Sequence, residues 1–275
     1  MNLVSLSERL RRLTQGIICL GLSGILLSGI LLYSGSRAAS AASENGGTAS
    51  EATPGGQWLR ALGSRDIDTL ERLYAQGYRQ VDLITEQGKT ALMVAAQAGA
   101  SDLCAKLIEA GADVNTSNQN GGTPLMHAAV GGNEAIVRLM LDQGASVNDQ
   151  AVNGWSAITL ATAKGFTRIV QLLLGSGADP NLTDIFGWSP LMHAVEQNRG
   201  DIVELLLTEQ GIEVNVANND GVTALHRAAA LGRREIARRL VQAGALVDLE
   251  DRSGRTPIDY ARQSGNEQVA KDLAS

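Results

Sequence analysis

Two hydrophobic patterns divide the chain. Residues 13–36 carry no charge, and within them Gly16–Tyr33 is an 18-residue apolar run. Beyond residue 57 the apolar positions come instead in short blocks at helical spacing, such as Ile169-Val170-Gln171-Leu172-Leu173-Leu174. Glycine-rich turns such as Gly177-Ala178-Asp179-Pro180-Asn181 punctuate them. Blocks of this length predict short amphipathic helices joined by tight turns.

The blocks are copies of one another. Gly88, Gly121, Gly154, Gly187, Gly221 and Gly254 recur at spacings of 33, 33, 33, 34 and 33. The extra residue falls in Thr208-Glu209-Gln210-Gly211. After each glycine come Thr or Ser, Pro or Ala, an apolar residue and alanine, as in Thr123-Pro124-Leu125-Met126-His127-Ala128-Ala129 and Thr223-Ala224-Leu225-His226-Arg227-Ala228-Ala229. These residues resemble the ankyrin family, whose 33-residue repeat centres on Thr-Pro-Leu-His-x-Ala. The resemblance implies an all-α solenoid of helix pairs with β-hairpin-like fingertips, of about seven repeats including degenerate caps. The copies are 88–120, 121–153, 154–186, 187–220 and 221–253, with 254–275 as a C-terminal cap. Residues 57–87 read as a degenerate N-terminal cap, with Leu59, Leu62, Leu70, Leu73 and Val81 near core positions.

Each part of the motif has a physical use. Thr or Ser caps the first helix, and Pro is tolerated next because its missing N–H would have no helical partner. Ala95, Ala128, Ala161, Ala194, Ala228 and Ala261 let helices approach closely. Leu107, Met140, Leu173, Leu206, Leu240 and Leu273 are expected to form a column through the stack, with Cys104 in register with Val137, Val170, Val203 and Ala237. Asn120-Gly121, Asn153-Gly154 and Asp220-Gly221 suit tight turns. In the last copy Arg262, Lys271 and Asp272 are polar, as a cap with one face in water requires.

The N-terminal pattern reads as an export signal. Arg9, Arg11 and Arg12 precede the apolar run, and Ser36-Arg37-Ala38-Ala39-Ser40-Ala41-Ala42-Ser43 follows it with small residues suited to cleavage. Eighteen residues are also close to the ~20 that span a bilayer, so 1–37 is either a cleaved signal peptide or an uncleaved anchor. The positive cluster keeps the N-terminus cytoplasmic and places the rest outside. Residues 38–56 read as a flexible linker. The sequons at Asn115 and Asn181 sit at repeat turns, where a glycan would hinder stacking, so a bacterial periplasm is the preferred compartment.

Charge and chemistry narrow the function. The net charge of −6 splits into +3 over residues 1–37 and −9 beyond, which argues against nucleic acid. Cys19 and Cys104 are poorly placed to pair, and no metal-ligand spacing, phosphate loop or nucleophile–base set occurs. No catalytic residue, cofactor, metal or small-molecule substrate is expected. His226 stands at the motif's histidine position, where the resemblance implies a role tying the turn together. His127 and His193 are shifted one place later and expected to be structural or surface residues.

The resemblance also implies ligand binding on the concave face of fingertips and first helices. The candidate protein-binding residues there are Val152, Trp155, Lys164, Ile185, Phe186, Trp188, Glu196 and Gln197. Three of the chain's nine aromatics fall at two adjacent fingertips, a composition expected of binding hot spots. The competing reading has the tryptophans packing on neighbouring hairpins. The expected function is an exported or membrane-tethered scaffold binding a partner protein. The alternatives are an accessory subunit of a membrane assembly and an enzyme framed by repeats.

Overall fold

The computed structural model describes residues 53–275, and the segment containing the apolar run 16–33 lies outside them. Fourteen helices occur there in pairs. The first pair is α1 (Pro54–Ser64) and α2 (Ile67–Ala75), and the second α3 (Ala91–Ala98) and α4 (Ser101–Glu109). Next come α5 (Pro124–Gly131) with α6 (Glu134–Asp142), then α7 (Ala157–Lys164) with α8 (Thr167–Gly175). The series closes with α9 (Pro190–Glu196) and α10 (Gly200–Leu207), α11 (Ala224–Ala230) and α12 (Arg234–Gln242), and α13 (Pro257–Gln263) and α14 (Glu267–Leu273).

Inner helices α3, α5, α7, α9, α11 and α13 stack in order, as do the outer helices from α4 to α14. Alanine sets the inner spacing: all six motif alanines are fully buried. The outer column Leu107, Met140, Leu173, Leu206 and Leu240 is likewise fully buried, and Leu273 closes it. Cys104 lies in the same core. Each inner helix starts at a Thr or Ser hydroxyl that accepts the amide three residues on, as Thr90 does from Met93 at 3.2 Å and Thr123 from Met126 at 3.3 Å.

Consecutive repeats are also clipped at the closing turns. Asn115 donates to the Gly144 carbonyl at 3.1 Å and accepts the Ser146 amide at 2.8 Å. Asn148, Asn181 and Asn215 repeat both bonds one copy further on each time. Both sequon asparagines therefore spend their side-chain amides holding repeats together.

Two details differ from expectation. Helix α1 begins at Pro54, capped by the Thr53 hydroxyl, three residues ahead of the boundary expected at 57. That phase turns Trp58 into the core and leaves Leu59 37% exposed, so Trp58 takes the core role expected of Leu59. The fingertips, in turn, are turns more than ribbons: the described residues hold only the isolated bridges Gln150–Ser156 and Ala217–Thr223.

Candidate functional site

Each fingertip is a turn whose glycine amide returns to a carbonyl three residues earlier, as Gly154 does to Ala151 and Gly187 to Asp184, both at 2.8 Å. One backbone bond joins each tip to the next. Val152 donates to Asn120 at 2.9 Å, Ile185 to Asn153 at 3.2 Å and Asn219 to Phe186 at 3.0 Å. The tips thus form a continuous ridge with fixed spacing. Gly154 makes this approach possible, because a Cβ there would stand 2.6 Å from the Asp184 Cα.

The two tips around Gly154 and Gly187 carry the candidate residues. Val152, Ile185 and Phe186 point outward, 75%, 57% and 63% exposed. Trp155 and Trp188 are half-buried behind them and clasp one imidazole, the His193 ring, at centroid distances of 4.9 and 5.4 Å. The row continues into the next repeat, where the Arg227 guanidinium lies 5.6 Å from the Trp188 ring centre. Glu196 holds that guanidinium through bonds of 2.6 and 2.9 Å. Glu196 is thereby a positioning group paired inside the protein. Lys164, at the end of α7, is exposed, and Gln197 occupies the matching place after α9.

Asp184 organises the Gly187 tip. One carboxylate oxygen accepts the Phe186 and Trp188 amides, each at 2.9 Å, and the other meets His193 Nε2 at 3.1 Å. Burial by itself raises this carboxyl, but the bonds to His193 and to the Trp188 and Phe186 amides outweigh it and hold it below the ordinary carboxylate range. Asn118 builds the same bracket two tips earlier, accepting the Asn120 and Gly122 amides at 2.9 Å and meeting His127 at 3.3 Å. At the Gly154 tip the matching position is Ala151, and there Asn153 accepts the Trp155 amide instead, at 3.1 Å.

Sequence reasoning missed Asp184 and Arg227. Asp184 precedes its histidine by nine residues, and Arg227 lies in the repeat after Trp188, so neither pairing shows in a single copy of the motif. The histidines split as their partners dictate. His226 bonds the Thr223 hydroxyl at 2.9 Å and the Arg255 carbonyl at 3.1 Å, the turn-tying role implied by the resemblance. His127 is held neutral, pushed down to about 4 by burial and then by Lys89 and Arg65. Among the described residues no group of three or more His, Cys, Asp and Glu could hold a metal, and no helix is long and apolar enough to cross a membrane.

The chain matches the family model for ankyrin repeats in three copies, over residues 59–151, 146–218 and 211–275. Among curated proteins it is similar to the E3 ubiquitin-protein ligase Ufd4 of Drosophila melanogaster, 42% identical over 72 residues, 25% of this chain and 3% of that protein. It is 42% identical to the potassium channel AKT1 of Oryza sativa over 59 residues, 22% of this chain and 6% of the channel. With the human ARF GTPase-activating protein GIT1 it shares 49% identity over 53 residues, 19% of this chain and 7% of that protein. The chain thus spans less than a tenth of each of these relatives. A stack of such repeats is a protein-interaction scaffold with an extended concave surface, and the chain belongs to the ankyrin repeat family.

Proposed function

We propose that this protein is an exported or membrane-tethered scaffold that binds a partner protein through the tips around Gly154 and Gly187 and performs no catalysis. One observation carries the reading: Val152, Ile185 and Phe186 stand exposed on neighbouring tips that the Trp155–His193–Trp188 stack fixes from behind. Exposed apolar side chains on a rigid ridge are the arrangement of an interface core, since little ordering entropy remains to be lost on binding. The tryptophans then act as the floor of the surface and the aliphatic and phenylalanine tips as its contacts. The apolar, charge-free segment 16–33 and the small-residue stretch after it support export to, or tethering in, a bacterial periplasm.

The test is affinity capture from an envelope extract. The full chain serves as one bait and a Val152→Ser/Ile185→Ser/Phe186→Ser variant as the other, with circular dichroism verifying the fold of both. A protein retained by the wild type and lost by the variant supports the reading. An identical retained set on both baits refutes the site.

A further inference from the structure

The fingertip ridge is not uniformly charged. Residues 117–122 and 150–155 contain no ionisable side chain, and 183–188 contain only Asp184. That carboxylate is 4% exposed and turned inward onto His193. Charge returns on both flanks, with Glu86 and Lys89 on the preceding tip, Asp220 on the following one, and Glu250, Asp251, Arg252 and Arg255 on the last. Beneath the window Arg227 and Glu196 neutralise one another, which leaves Lys164 and Asp149, the residue before the second tip, as exposed charges at its margin. The described residues as a whole carry 19 basic and 26 acidic side chains, a net charge of −7. Three tips without an exposed ionic group therefore interrupt a charged molecule, and Val152, Ile185 and Phe186 lie inside that window.

We infer that the partner segment seated on this window is uncharged, apolar and extended. This rests on the reading of the tips as the binding face and specifies what they select. A charged side chain buried there would lose its water and find no counter-charge on the tips themselves, which disfavours charged segments. The half-buried indoles of Trp155 and Trp188 each carry one N–H donor at this face. An extended segment offers free backbone carbonyls to such donors, whereas a helix has already spent its own. Asn153, whose Oδ1 accepts the Trp155 amide, adds a side-chain amide nitrogen of the kind that pairs with peptide carbonyls.

Selection of random 12-residue peptides displayed on phage tests this, with the full chain in mild detergent as target. The Val152→Ser/Ile185→Ser/Phe186→Ser variant serves as counter-target. The expected enriched peptides are uncharged and rich in Leu, Phe, Ile or Trp. A synthetic peptide of that set binds wild type at least ~10-fold more tightly than the variant, and its affinity changes less than about twofold when salt is raised well beyond physiological strength. Val152→Lys, a surface substitution that places a cation in the window, weakens these peptides and turns enrichment toward acidic ones. Enriched peptides that are charged and salt-sensitive, yet still need Val152, Ile185 and Phe186, overturn the inference and leave the binding face standing. Peptides that bind the triple variant equally well, or no enrichment at all, overturn both.

Discussion

Replacing Asp184 by alanine removes three interactions at once. The substitution frees the Phe186 and Trp188 amides, each 2.9 Å from the carboxylate, and His193 at 3.1 Å. A hydrogen bond to a charged acceptor contributes roughly 1.5–3 kcal/mol net. The Phe186 amide lies at an exposed tip where water replaces the lost oxygen, so it adds little, and the bonds to the Trp188 amide and His193 are each counted at the bottom of that range. Together they set an expected loss of about 3 kcal/mol, with no discount for screening because the Asp184 side chain is 4% exposed. Asp184→Asn keeps an oxygen for both amides and a polar group for His193. Asn118 already does this with the Asn120 and Gly122 amides and His127, so the asparagine variant is expected to lose about 1 kcal/mol. Urea unfolding followed by circular dichroism reads the difference. With a slope of ~2–3 kcal/mol per molar urea, the alanine variant's midpoint falls by about 1–1.5 M. A fall under about 0.3 M, or equal falls for alanine and asparagine, refutes the claim that the carboxylate brackets this fingertip.

Three further outcomes follow from the geometry. Folding holds His127 neutral down to about 4 while the unfolded ring takes its proton near 6.5, so the unfolded state binds more protons between those values. Stability is therefore lost as pH falls through that window, by roughly 2 kcal/mol on going from pH 7 to about pH 4.5. His127→Leu, which copies Leu160 at the matching position, should remove that portion of the pH dependence in urea titrations at the two pH values. Gly144 and Gly154 share a left-handed backbone, with φ of 81° and 78°, but a Cβ meets nothing within 4 Å at the first and backbone at 2.6 Å at the second. Gly144→Ala should cost about 1 kcal/mol and Gly154→Ala on the order of 3 kcal/mol, compared by thermal unfolding. Cys104 is fully buried and its thiol is pushed up to about 12 by burial, so iodoacetamide should label it only in denaturant, as peptide mapping by mass spectrometry would report.

The sequence disclosed whatever one repeat must do for itself or for its equivalent in the next. Motif alanines, capping hydroxyls and the leucine column follow directly from the 33-residue period, because every copy places them in the same surroundings. The N-terminal cap was read three residues late: Thr53-Pro54 repeats the capping pair of the motif but stands outside the 33-residue register, and that start decides whether Trp58 or Leu59 faces inward. The candidate site was half legible. The cluster of aromatic and aliphatic tips could be read from position alone. The partition of their roles could not, since Trp155 meets a histidine 38 residues later through the offset of one fingertip onto the next inner helix. Such a contact depends on how repeats slide against one another, which no single copy encodes. The charge-free window was visible in residue types, but its meaning depended on Asp184 turning inward.

A photo-reactive phenylalanine analogue in place of Phe186, and separately in place of the exposed Gln171 on α8, tests the binding face most directly. Irradiation of cells making each full-length protein should yield a covalent adduct with another protein from position 186 and none from position 171. Equal adducts from both positions, or none from 186, would contradict the account.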